Sequence, residues 1–129
     1  MKNILLVLLT LLVFSCKKSV TTEIPTEAHG NWELRGEHCG WSLPRSHPVG
    51  NGAIIKINTD GTYQSSFGGT YSGSYTITQR VNASQQKQWY IYFDGNWKHE
   101  YRLTLDNGKF SIDNADVIAD GCGYMFERY

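Results

Sequence analysis

The sequence predicts an all-β domain, an eight-stranded antiparallel up-and-down meander that closes into a barrel, with a two-sheet β-sandwich as the alternative. Three observations predict it. Apolar and polar residues alternate with period two along nearly every segment beyond residue 29, as in a strand with one buried face. Asp, Asn and Gly clusters of the kind that turn hairpins separate these segments. No segment between them has the pattern of a crossover helix, so sequence neighbours pair directly, and closing the meander removes its exposed edges.

Residues 31–35 form the first strand, with Trp32 and Leu34 on one face. Residues 53–57 and 62–67 flank the turn Asn58-Thr59-Asp60-Gly61, and Gly68-Gly69 leads into residues 70–78. There Tyr71, Gly73, Tyr75 and Ile77 share a face while hydroxyl residues occupy the other, so one face is buried and one wet. After the polar connection 79–86 come strands at 88–93, 101–105 and 109–112, joined by Asp94-Gly95-Asn96 and Asp106-Asn107-Gly108. Residues 122–128 close the chain with Cys122, Tyr124, Phe126 and Arg128 on one face. These strands are short for a membrane-spanning barrel, which needs about 9 to 11 residues per strand.

Alternation assigns an inward set: Trp32, Leu34, Ile55, Ile57, Tyr63, Phe67, Tyr71, Tyr75, Ile77, Trp89, Ile91, Phe93, Tyr101, Leu103, Leu105, Phe110, Ile112, Tyr124 and Phe126. An eight-stranded barrel is just wide enough to be filled by side chains or to hold one small ligand. Aromatic side chains bury about 150 to 250 Å² each. So many rings favour a filled interior over a deep cavity.

Ahead of the domain, Lys2 precedes an apolar run of about eleven residues, 4–14, and small Ser15. A bilayer-spanning helix needs about 20 such residues, so 1–15 reads as a cleaved signal peptide. Val13-Phe14-Ser15-Cys16 resembles the lipobox of bacterial lipoproteins, which implies that Cys16 is acylated. Each buried methylene contributes about 0.8 kcal/mol, so several acyl chains hold a protein on a membrane for long periods. Residues 16–28 are polar, contain Pro25 and lack an apolar period, and are expected to form a flexible lipidated tether to a domain at 29–129.

The whole chain is formally neutral, and beyond residue 28 nine Lys and Arg face ten Asp and Glu with no basic run, which excludes a nucleic-acid footprint. Cys39 and Cys122 remain once Cys16 is assigned, and an even pair in an exported chain favours a disulfide. Closing that 84-residue loop contributes about 4 to 5 kcal/mol in the chain-entropy model. A metal site with His38 and His47 is the alternative, but no close Cys-x-x-Cys pair supplies zinc spacing. No metal or cofactor is expected.

Gly30-Asn31-Trp32 matches the Gly-x-Trp motif that opens the first strand of lipocalins, and Arg128 stands where their closing arginine lies across that tryptophan. The chain also resembles the small lipocalin-like lipoproteins of Bacteroidetes through Trp32-Glu33-Leu34, the turn at 48–52, Asp60-Gly61-Thr62-Tyr63 and Ser72-Gly73-Ser74-Tyr75. The resemblance implies a lipocalin-like barrel closed at its base by Gly30, Trp32 and Arg128. True lipocalins are longer and carry a C-terminal helix, so their ligand chemistry does not transfer with the fold.

Catalytic signatures are missing: there is no Gly-x-Ser-x-Gly elbow, no His-Glu-x-x-His and no phosphate-binding glycine loop. The expectation is a non-enzymatic protein of the cell envelope, lipid-anchored to the outer membrane. Two functions are open to it. One is binding of a small or lipid-like hydrophobic molecule, for which Trp41, Arg45, Tyr63, Tyr75, Trp89, Tyr101 and Tyr124 are the candidate contacts. The other is an interaction or inhibitor module acting through the long loop 38–48, where Trp41 offers a stacking face and Arg45 an anion contact. Trp97, His99 and Tyr92 fit either a second exposed aromatic patch or a solvent-shielding hairpin.

Overall fold

The computed structural model describes residues 24–115 and 121–129. The expected signal peptide and Cys16 lie outside the described residues. Within them the chain is all-β apart from one 3-10 turn, Thr26–Ala28. Nine strands follow: β1 (Gly30–Cys39), β2 (Arg45–Ser46), β3 (Ile54–Ile57), β4 (Thr62–Ser65), β5 (Tyr71–Val81), β6 (Lys87–Phe93), β7 (His99–Asp106), β8 (Lys109–Asn114) and β9 (Cys122–Arg128).

From β3 to β9 each strand pairs antiparallel with the next, and β9 returns to β1, so eight strands close into a barrel. The sandwich alternative does not form. One edge of β1 pairs with β3 from Gly30 to Glu33, and its other edge pairs with β9 from Trp32 to Cys39. The ninth strand, β2, is the addition to the expected eight. It pairs only through Arg45 and Ser46, with Glu37 and Gly36, on the part of β1 that β3 leaves free.

Residues 31–35 are the regular half of a longer first strand. The register of β1 against β9 shifts between Leu34 and Gly36, a bulge that places one extra residue opposite the partner. The expected tether also ends sooner than residue 28. Ala28 is fully buried in the core and its carbonyl accepts the Trp32 indole hydrogen bond at 2.8 Å, so the 3-10 turn belongs to the domain.

Local chemistry fixes the hairpins. Gly61 sits at φ 84°, a conformation that side chains with a Cβ avoid, and the Asp60 carboxylate accepts from the Thr62 amide at 3.0 Å and the Thr62 hydroxyl at 2.6 Å. The Thr62 hydroxyl and then its amide hold the Asp60 carboxyl below its usual range.

The strand alternation places the expected inward set inside. Fourteen of its members are buried, and Phe67, Tyr71, Trp89, Leu105 and Tyr124 pack partly buried against them. The Trp32 and Phe110 rings stack at 5.2 Å, Phe110 meets Phe126 at 5.9 Å, and Phe126 meets Phe67 at 5.5 Å. Ring contacts thus run from the base of the barrel, where β1 begins, to its mouth, where β1 ends. Side chains occupy the interior, as protein cores do at crystal-like density.

Candidate functional site

At the base, the Arg128 guanidinium lies over the Trp32 ring at 4.6 Å from its centroid. Arg128 also donates to the His29 carbonyl at 3.1 Å and to the Glu27 carbonyl at 2.9 Å. Gly30 makes room for this. Its φ is 134°, and a Cβ there would lie 2.8 Å from Arg128 Nη1. The three residues expected to close the barrel therefore come together, and the closure also ties down the segment entering the domain.

At the mouth, one side chain from the β6–β7 connection fills the opening. The Trp97 indole stacks on Phe93 at 4.6 Å and on Tyr71 at 5.7 Å, with Tyr101 at 5.6 Å and Phe67 at 6.0 Å. No three-residue exposed patch forms: Trp97 packs against the core and shields it, while Tyr92 and His99 are exposed. The reason is that the turn at 94–96 folds the indole back over the rings of the mouth. Burial pushes the Tyr101 phenol up to about 12, and desolvation also raises Tyr63 and Tyr124.

The candidate ligand contacts do not line one cavity. Tyr63 is buried and its hydroxyl donates to the Asp94 carbonyl at 2.9 Å, while Tyr101 packs under Trp97. Tyr124 meets Phe67 on the far side of the mouth at 4.7 Å. Tyr75 is buried toward the base, where its hydroxyl donates to the Asn58 carbonyl at 2.7 Å. Trp89 pairs with Gln79 and Leu103 and is half-buried. Tyr63, Tyr75, Tyr101 and Trp89 belong to the core and its margin, and of these five side chains Tyr124 alone joins another candidate, Arg45, in lining a cleft.

The long first loop is held at both ends and free in the middle. Cys39 and Cys122 are directly opposed in the β1–β9 ladder and are joined by a disulfide of 2.04 Å. Between that bridge and β2, Trp41 is 93% exposed and Leu43 86% exposed; Val49, beyond β2, is 80% exposed. Arg45 reaches Glu37 at 3.6 Å, and His47 reaches the same carboxylate at 3.7 Å. A cleft of about 380 Å³ beneath the loop is lined by Arg35, Glu37, His38, Arg45, Asp113 and Tyr124 among others. Its charges are mutually engaged, since His38 also lies 3.7 Å from Asp113.

Glu33 is the polar residue that alternation leaves on the outer face and that the fold nevertheless buries completely. The segment at 48–52 folds over it. Its carboxylate accepts from the Gly50 amide at 3.0 Å and the Gly52 amide at 3.1 Å, and it pairs with Arg35 at 2.5 Å. The Gly50 amide, with the Arg35 guanidinium and the Gly52 amide, holds the carboxyl below its usual range against the opposing effect of burial. The same Arg35 donates to the Pro48 carbonyl at 3.2 Å, so a buried ion pair anchors the far end of the exposed loop. The sequence signal was Glu33 within Trp-Glu-Leu, one residue pair before a basic Arg35, followed by the Gly-Asn-Gly turn.

Among the described residues no group of three or more His, Cys, Asp and Glu is arranged to hold a metal ion, and no helix is long and apolar enough to cross a membrane. No family profile, no curated protein and no solved structure matches the chain.

Proposed function

We propose that this protein is a non-enzymatic interaction module of the cell envelope, tethered to the outer membrane through Cys16, that engages a protein partner through the loop carrying Trp41 and Leu43. The supporting observation is the contrast between a barrel interior occupied by side chains and two large apolar side chains, 93% and 86% exposed, on a loop pinned by a disulfide. A loop fixed at both ends loses less conformational entropy on docking than an open one, and Trp is over-represented among residues that dominate interface energetics. The tether enters at the base, whereas the loop follows the far end of β1. Ten residues of strand separate them, about 33 Å. The anchor sets the loop facing away from the lipid surface.

Crosslinking in intact cells from a photoreactive residue at Leu43 tests this. A discrete protein adduct whose yield falls several-fold in Trp41→Ala is expected. An adduct pattern that Trp41→Ala leaves unchanged rejects this surface.

A second reading is supported by Trp97. The mouth is closed by one indole from a connection rather than by strands, so a small hydrophobic ring can take its place against Phe93 and Tyr71. Native mass spectrometry after mild extraction would then detect a co-purified small molecule, and its release on Trp97 replacement by a bulkier, covalently tagged side chain would locate it. An unliganded mass after the mildest extraction rejects this reading.

A further inference from the structure

We propose that two copies of this chain pair edge to edge along residues 77–81 of β5. β4 covers β5 only from Tyr71 to Ser74, whereas β6 pairs with it from Tyr75 to Val81. Backbone groups of successive strand residues point to alternate edges. The Asp94 amide donates to the Ser74 carbonyl at 2.9 Å on the β6 side, and the Tyr75 amide donates to the Gly61 carbonyl at 2.9 Å on the β4 side. The amides and carbonyls of Ile77, Gln79 and Val81 therefore face the edge that β4 has left, and among the described residues nothing bonds to them there. Folded proteins guard such edges with proline, bulges, charged side chains or brevity. β2, at two residues, is guarded by its shortness. Residues 76–81 read Thr-Ile-Thr-Gln-Arg-Val, with no proline or glycine, and their one charge, Arg80, is drawn back across the sheet to Glu100 and to the Tyr90 ring at 4.4 Å.

The occupant follows from the edge matching itself. An antiparallel pair with its two-fold axis at Gln79 sets Ile77 opposite Val81 of the second copy and Gln79 opposite its own counterpart, so all three free residues exchange both backbone bonds. Centring on Ile77 or Thr78 would set Gln79 or Val81 against Tyr75, whose amide is already bonded to Gly61. Centring on Arg80 would set two like charges face to face, whereas about Gln79 each Arg80 lies opposite Thr78. The chain is formally neutral, so net charge does not hold the copies apart. At about 3.4 Å per residue the strip is about 14 Å long, less than stable complexes use, so the pairing is weak and reversible. It involves neither the Trp41 loop nor Cys16 and stands apart from the functions proposed for them.

Gln79→Cys in the full chain, purified in mild detergent and oxidised with copper phenanthroline, tests the register, because directly opposed Cα atoms about 5.5 Å apart are within disulfide reach. A disulfide-linked homodimer is expected, with a yield about fivefold above that of the parent chain and of Thr76→Cys, whose copies this register holds well beyond disulfide reach. Adding Val81→Pro deletes an amide that faces the open edge and none that β6 uses, and should lower the yield about fivefold. Far-ultraviolet circular dichroism confirms that each variant keeps the parent fold, and the comparison of Gln79→Cys with Thr76→Cys stands without the proline variant. Absence of the homodimer, an equal yield from Thr76→Cys, or a yield that Val81→Pro leaves unchanged in a folded chain overturns the proposal.

Discussion

The Arg128 guanidinium rests 4.6 Å from the centre of the Trp32 ring, joining the last strand to the first across the base of the barrel. Two further bonds, to the Glu27 and His29 carbonyls, make the arginine a clasp for the incoming chain as well. Arg128→Ala is expected to cost about 1 to 3 kcal/mol in urea unfolding, from the lost cation–π contact and the released carbonyls. Arg128→Lys keeps the charge but not the planar fork, so it should recover less than half of that loss. Full recovery by lysine would show that charge alone matters.

Reduction of the Cys39–Cys122 bridge removes a constraint that spans 83 residues of chain. The pair is already opposed in the β1–β9 ladder, so the reduced protein should keep its far-ultraviolet spectrum while losing about 4 kcal/mol of stability. Thermal unfolding with and without reductant, compared with Cys39→Ala/Cys122→Ala, measures this directly.

Removing the indole that closes the mouth should create a pocket where none is needed for folding. Trp97→Ala is expected to cost about 2 to 3 kcal/mol, somewhat below a fully buried tryptophan because the ring is only partly covered. The variant should bind a fluorescent apolar dye that the parent excludes, read as emission enhancement at native pH.

Glu33 supplies a pH dependence whose sign follows from its environment. Its folded carboxyl lies below its ordinary value of 4.5, because the Gly50 amide and Arg35 favour the anion. Its stabilising contribution is therefore complete above the unfolded value and is lost as pH falls through the lower folded one. Urea midpoints followed from about pH 6 to about pH 3 should decline, and the decline should be shallower in Glu33→Gln, which cannot titrate. Parallel profiles would remove Glu33 from the acid limb.

The anchor is tested through Cys16. Metabolic labelling with a fatty-acid precursor should mark the parent chain and leave Cys16→Ser unlabelled, with the variant released from the membrane fraction. Label retained in Cys16→Ser would place the acyl group elsewhere.

The strands were legible because their information is local. Period-two alternation from Ile55 to Phe126 selects the side chains that fill the barrel, and Asp60-Gly61 marks a turn by its own backbone needs. What escaped was set by contacts between distant segments. Glu33 reads as an outward strand residue until the segment 48–52 folds over it. Trp97 fits an exposed patch or a shielding hairpin equally in the sequence, because its resting place is made by Phe67, Tyr71 and Phe93 from three other parts of the chain. Ala28 has no periodic signal at all, and the bonds that Trp32, Arg128 and Tyr75 make with it and its neighbours draw it inward. The candidate ligand contacts followed alternation into the core, and alternation carries no information about whether a core holds space.

Strand β1 borders β2 and β3 on one side and β9 on the other, so it is the seam of the barrel, and its second seam partner is synthesised last. The clasp between Arg128 and the His29 carbonyl joins points 99 residues apart. Until the final strand emerges, the nascent sheet has two open margins and cannot complete its hydrophobic interior. Such a topology delays compaction to the end of synthesis. A chain truncated before Cys122 should remain a substrate for proteolysis rather than a slightly weakened barrel.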